Sequence, residues 1–222
     1  MTTLYRLDAP AAAIADHFGA RAGDDPWAGG YVAPGKFAPI ITAGREFISG
    51  PRPAHSPLQP RMVPRLWGVM PPPGAHDPMR RIATVRNPDS PFWIGNLRNS
   101  EFRCLVPATA VMAWGEGTDY EGRRLKHWFA PSEQPLLALA AVWKDEDVPA
   151  FAILTQGATG AAKAAGAKAM PVILPADARS QQDWLHGPWA GARAMIEGER
   201  IRRARIKQTN DPDLGQINPP QP

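Results

Sequence analysis

Five histidines, one cysteine and a basic run near the C-terminus are the residues of this sequence with the chemistry to catalyse or bind. His17, His55, His76, His127 and His186 stand far apart, with none of the i, i+4 or Cys-x-x-Cys spacings of a metal site, so no metal is expected. Cys104 sits inside the apolar string Arg103-Cys104-Leu105-Val106, where a cysteine acts as a small inert hydrophobe. A single cysteine also excludes an internal disulfide. Gly157-Ala158-Thr159-Gly160 followed by Lys163 has a faint phosphate-binding character but neither the P-loop nor the dinucleotide spacing, and reads as the start of an alanine-rich helix. No Gly-x-Ser-x-Gly elbow is present. The run Arg200 to Lys207 carries five positive charges in eight residues. As a strand it has cations on both faces, which suits an exposed edge and also suits phosphate contact. Trp67, beside Gly68 and just before Pro71-Pro72-Pro73, is placed to offer an aromatic face to a base.

The elements that must position these residues are short. The chain has 222 residues, 44% of them apolar, enough for a real core. It holds 26 prolines and 20 glycines, which argues against long-helix bundles, coiled coils and repeats, and for short strands joined by loops. The fold class expected is α+β: a single domain over residues 1–222, with a β-rich, barrel-like core of short strands, flanking short helices and a tail from about residue 210. Asp8-Ala9-Pro10-Ala11 reads as a helix start capped by Asp8, with Gly19 as its stop. Strands are expected at 40–42, 46–48, 66–70, 103–106, 111–114, 127–130, 136–143, 150–155 and 171–174, with 111–114 as partner of 103–106. Residues 50–64 read as loop, 115–125 as a polar hairpin, and 161–169, 176–186 and 189–198 as helices. The formal charge of +4 permits a polyanion partner without requiring one. No apolar run approaches the ~20 residues that cross a bilayer, and Met1 to Arg6 lacks a signal-peptide core, so a cytoplasmic location is expected.

Six strings together resemble one family. Met1-Thr2-Thr3-Leu4-Tyr5-Arg6 is similar to its Met-Cys-Asn-Leu-Tyr opening, and Tyr31-Val32-Ala33-Pro34-Gly35 to its Asn-Val-Ala-Pro-Gly loop. Leu66-Trp67-Gly68-Val69-Met70-Pro71 resembles its Trp-Gly-x-x-Pro, and Thr84-Val85-Arg86-Asn87 its Asn-Val-Arg-Asn. Arg103-Cys104-Leu105-Val106-Pro107 and Ala169-Met170-Pro171-Val172-Ile173-Leu174 complete the set, in the family's order. The family is the SOS-response-associated peptidases, also called abasic-site processing proteins. The resemblance implies binding of single-stranded DNA at an abasic site in a basic cleft. It also implies a covalent step, in which a cysteine at position 2, exposed by loss of Met1, traps the opened sugar through its amine and thiol. An Asn, a Glu and a His assist, and a self-processing peptidase activity is proposed for the same nucleophile. An α-amine with a pKa near ~7.7–8.0 is partly neutral at pH 7, which suits that condensation.

This chain departs from the family at all four chemical positions. Thr2 stands for the Cys, Thr84 for the Asn, Ala113 for the Glu and Gly166 for the His. Losing an acid/base group removes a contribution of roughly 10²–10⁴-fold. The binding residues are retained as Trp67, Arg86, Pro34, Arg103, Thr155 and Lys168. The resemblance therefore implies a degenerate member that binds single-stranded DNA without crosslinking, with no cofactor, metal or membrane partner. Two alternatives stay open: an enzyme that uses Thr2 as an N-terminal nucleophile, and a scaffold that now binds a protein or small ligand. Thr2, Thr84, Ala113 and Gly166 are expected to converge on one pocket, with Trp67 and Arg86 on its rim.

Overall fold

A computed structural model describes residues 4–23, 27–44, 59–202 and 206–209. The strands are β1 (Tyr5–Leu7), β2 (Gly30–Val32), β3 (Phe37–Thr42), β4 (Arg61–Trp67), β5 (Thr84–Val85), β6 (Arg103–Ala108), β7 (Ala110–Thr118), β8 (Arg124–Pro131), β9 (Leu137–Lys144), β10 (Ala150–Gly157), β11 (Ala169–Pro171) and β12 (Ile206–Thr209). The helices are α1 (Ala11–His17), α2 (Pro91–Arg98), α3 (Gly160–Ala164), α4 (Ala178–His186), α5 (Trp189–Glu197) and α6 (Glu199–Arg202).

Two sheets share the core. One runs β12-β8-β7-β1-β2. The other runs β11-β10-β4-β3-β6-β9 and closes on itself, because β9 also pairs with β10. Most pairings are antiparallel; β10 is parallel to β4 and to β5. This is the expected α+β class, with the second sheet forming a ring. The ring explains the unbroken apolar strings. From Leu137 to Trp143, β9 is buried throughout, since one side faces the ring interior and α2 covers part of the other. Pro39 and Pro64 lie directly opposite each other in the β3–β4 register, so two residues without N–H groups share one rung.

Several expectations change. Asp8 does not cap α1: Pro10 holds that position without a side-chain bond, and Asp8 pairs with Arg6 instead. Gly19 does end the turn after α1, at φ +58°. Residues 61–64 are strand rather than loop, because the one proline of β4, Pro64, falls opposite Pro39, where no N–H is missed. Residues 111–114 do not pair with 103–106; β7 pairs with β1 and β8, while β6 pairs with β3 and β9. The basic run splits in two. Its first half is α6, with Ile201 buried and Arg200 on Asp177 at 2.8 Å; its described second half is the edge strand β12. Asp177 also caps α4, accepting from the Ser180 N–H at 2.8 Å. The strand expected at 46–48 and the tail from 210 lie outside the described residues.

Phe151 of β10 is fully buried, with its ring parallel to Trp67 at 6.2 Å. Phe151→Ala is expected to cost about 3–5 kcal/mol in urea unfolding. A cost under about 1 kcal/mol would contradict this placement.

Candidate nucleic-acid interface

An open cavity of about 740 Å³ lies beside β5. Thr84, Arg86 and Pro34 line it, together with Gly35, Arg80, Arg81, Asn87, Ser90 and Trp93. Three arginines face it, and none of the described residues that line it is a carboxylate. The local sequence builds this arrangement in steps. Trp67 ends β4, and Gly68 follows at φ +119°, a conformation that favours glycine. A Cβ there would stand 2.9 Å from the Arg81 Cβ. The close approach lets Arg81 cross the backbone and donate from Nη1 to the Gly68 carbonyl at 3.0 Å. Val69 and Ile82 exchange backbone hydrogen bonds of 3.1 and 2.8 Å, closing the base of the excursion between them. Arg80 and Arg81 therefore return beside the same cavity as Arg86.

The loop after β5 is held from behind. Asn87 Oδ1 accepts from the Asp89 N–H at 3.0 Å, and Ser90 Oγ caps α2. Arg193 of α5 grips Asp89 with both terminal nitrogens, at 2.7 and 2.8 Å. Such a two-point fork fixes direction as well as distance. Thr155 works from the other side: its hydroxyl donates to the Val85 carbonyl at 3.1 Å, between Thr84 and Arg86.

The structure thus separates the residues singled out above. Thr84, Arg86 and Pro34 meet at the cavity, while Thr155 holds their strand. Trp67 is not on a rim. It is fully buried, donates from Nε1 to the Ala83 carbonyl at 2.8 Å and packs on Phe151 and Tyr5, so it has no free face for a base. Arg103 is also buried. It donates to the Leu97 carbonyl at 3.2 Å and to the Gly187 carbonyl, and lies over the Trp184 ring. Burial lowers its pKa to about 10, which still leaves it charged at neutral pH. It ties α2 and the α4–α5 break to the ring and offers nothing to a ligand. Lys168 is exposed, away from the residues lining the cavity. Thr2 lies outside the described residues; Leu4, the first described residue, accepts from the Met112 N–H at 3.1 Å.

Ala113 and Gly166 lie off the cavity, so the four positions do not all converge on it. They belong instead to a second locality on β7. Ala113 is buried opposite His127 of β8. Gly166, at φ +79°, backs onto Glu116: a Cβ there would meet the Glu116 backbone nitrogen at 2.9 Å. Gly115 leaves room for the His127 ring, which a side chain at 115 would strike. His127 Nδ1 lies 3.2 Å from Gln208 Nε2 of β12. Sequence reasoning missed His127 because its partner positions, Ala113 and Gly115, are fourteen and twelve residues away on the neighbouring strand. It missed Arg80 and Arg81 too, although an arginine pair just ahead of Thr84 was a visible signal.

The model of one protein family, SOS response associated peptidase (SRAP), matches residues 1–205. The chain belongs to the SRAP family. That membership connects it in general terms with the SOS response and DNA damage. Three crystal structures share the SRAP-like fold at low identity. A Bordetella bronchiseptica protein matches with TM-score 0.67 and 16% identity, covering 94% of this chain and 100% of that one. A Bacteroides thetaiotaomicron protein gives TM-score 0.67 and 16% identity, covering 99% and 97%. A phage-related protein of B. bronchiseptica gives 0.65 and 15%, covering 94% of each chain. No curated protein matches the sequence. Among the described residues no group of three or more His, Cys, Asp or Glu is arranged to hold a metal, and no helix is long and apolar enough to cross a membrane.

Gly166, where the resemblance puts the family's histidine, has a backbone that favours glycine and little room for a side chain. Gly166→His is expected to destabilise the fold by more than about 1 kcal/mol, through the positive φ and the contact with Glu116. Chemical denaturation of the variant checks this; a neutral result would show that the Gly166 backbone is free to move.

Proposed function

We propose that this SRAP-family chain binds single-stranded DNA at the arginine-lined cavity and forms no stable covalent bond to it. The observation that carries the reading is the cavity itself. Arg86, at the family's phosphate-contacting position, is joined there by Arg80 and Arg81, with no carboxylate among the described lining residues. Guanidinium groups suit phosphate oxygens because their forked donors match the oxygen geometry. Thr84 lines the same cavity with a hydroxyl in place of the family's amide. The positions of the family's acid and base hold Ala113 and Gly166, which move no proton. A threonine hydroxyl closes on an imine less durably than a thiol does, so residue 2 offers a weaker trap.

Binding should fall steeply with salt. A site that neutralises a few phosphates loses one to two orders of magnitude in affinity between ~50 and ~200 mM salt. Arg86→Glu is expected to weaken binding at least about 10-fold at the lower salt, as read by fluorescence anisotropy with a labelled oligonucleotide. On a denaturing gel with an abasic oligonucleotide, the native chain should give no shifted band. A stable band through residue 2 would sink the proposal.

His127 favours a second reading, in which Thr2 still reacts. It is half-buried beside Ala113 and Gly115, on the strand that pairs with β7, and is the imidazole such chemistry would call on. Intact mass decides its first requirement: an N-terminal nucleophile needs Met1 removed, and retention of Met1 on the purified protein ends this reading.

A further inference from the structure

We infer that the outer face of the five-stranded sheet is a track for the single strand as it leaves the cavity. The inference rests on the proposed DNA binding and extends it to a surface that the cavity does not include. Strand registers place one set of side chains on this face. Trp114 lies directly opposite Lys126, and Arg124 follows on the same strand side, two residues away. Arg124 and Lys126 are both exposed, and both stand over the Trp114 ring, at 5.5 and 5.7 Å from its centre. Their spacing along β8 is about 6.8 Å, which matches the separation of successive phosphates in an extended strand.

Apolar and aromatic groups support these cations from below. Met112 and Trp128 are buried in a small cluster separate from the main core, with Leu4, Tyr31 and Trp114 half-buried against them. The Trp128 indole N–H is buried without a hydrogen-bond partner. At one edge, β12 adds exposed Lys207 beside Ala130, in line with the same face. At the other edge, β2 carries Tyr31 and runs within three residues to Pro34 on the cavity wall. Three residues of chain thus separate the edge of the face from the cavity wall, and the five strands span roughly 19 Å.

Charge points to the occupant. Of the nearby carboxylates, Asp8 is held by Arg6, and Asp119 and Glu121 by Arg123, while Glu116 stands exposed on β7 two residues beyond Trp114. Lys126, Arg124 and Lys207 remain as a row of cations among aromatic rings, the pattern of a sheet that carries single-stranded nucleic acid. A single strand fits better than a duplex, because half-buried rings can meet unpaired bases and a paired stack hides them.

The test compares oligonucleotide lengths. Poly-dT of about four nucleotides fills only the cavity, whereas about twenty reach the sheet. Arg124→Glu with Lys126→Glu is expected to weaken the longer strand roughly 10-fold at ~50 mM salt and to lower its salt slope by about 1–2, leaving the short strand within about twofold. Both residues are exposed, and an unfolding curve confirms that the variant folds. A control with Arg98→Glu and Arg179→Glu makes the same charge change on α2 and α4 and should bind as the native chain does. Unchanged binding of the longer strand, equal loss for both lengths, or an equal loss for a duplex of the same length would overturn the track. Arg86→Glu run alongside keeps the two proposals apart: it should weaken both lengths, and if it weakens neither, the cavity reading has failed whatever the sheet does.

Discussion

Almost everything that positions the site hangs on one strand, β10, which is hydrogen-bonded along both edges. One edge pairs with β9 and closes the ring. The other changes partner as it advances, from β4 at Ala150 and Phe151 to β5 at Ile153 and Leu154, while β11, from Thr155 to Gly157, follows β9 along the first edge. A two-residue strand such as β5 makes too few backbone bonds to stay in place by itself. It is placed because β10 supplies its ladder and Thr155 adds a side-chain bond to the Val85 carbonyl. Thr84 and Arg86 therefore reach the cavity as consequences of ring closure.

The same closure accounts for the residues that turned inward. Trp67 and Phe151 are register partners across the parallel β4–β10 pair, and their rings stack inside the ring of strands. Burying an indole this large stabilises more than exposing it for stacking could, provided its N–H finds a carbonyl, and Ala83 supplies one. Arg103 follows the opposite logic. A buried guanidinium is costly unless its donors are met, and the carbonyls of Leu97 and Gly187 meet two of them. Both residues sit in strings that carry the family likeness, and in this chain both serve the core.

Gly166, where the resemblance puts the histidine, and Gly115, two residues from Ala113, show how neighbouring positions settle together. Gly166 presses its backbone on Glu116, and Gly115 yields its space to the His127 ring. Side chains at 115 and 166 would compete for volume that β8 and the 116 backbone now occupy. The packing between β7, β8 and the turn after α3 thus leaves no room for side chains at 115 and 166.

Much of the fold was legible in the sequence, because local physics decides it. The apolar strings at 103–106, 137–143 and 150–155 are strands, Gly187-Pro188 breaks two helices, and Cys104 is buried. The six family strings were legible as well, since each is contiguous. What lay outside reach was pairing at a distance. Nothing near 103–106 says that its partners are β3 and β9 rather than the adjacent 111–114. Nothing near Ala113 reveals His127, and nothing near Arg86 reveals Arg193 holding its loop through Asp89. Residue types and short spacings determined which segments are strands and which side chains have chemistry to offer. Only the tertiary structure decided which of them face solvent, because burial depends on partners that strand registers bring together from distant parts of the chain.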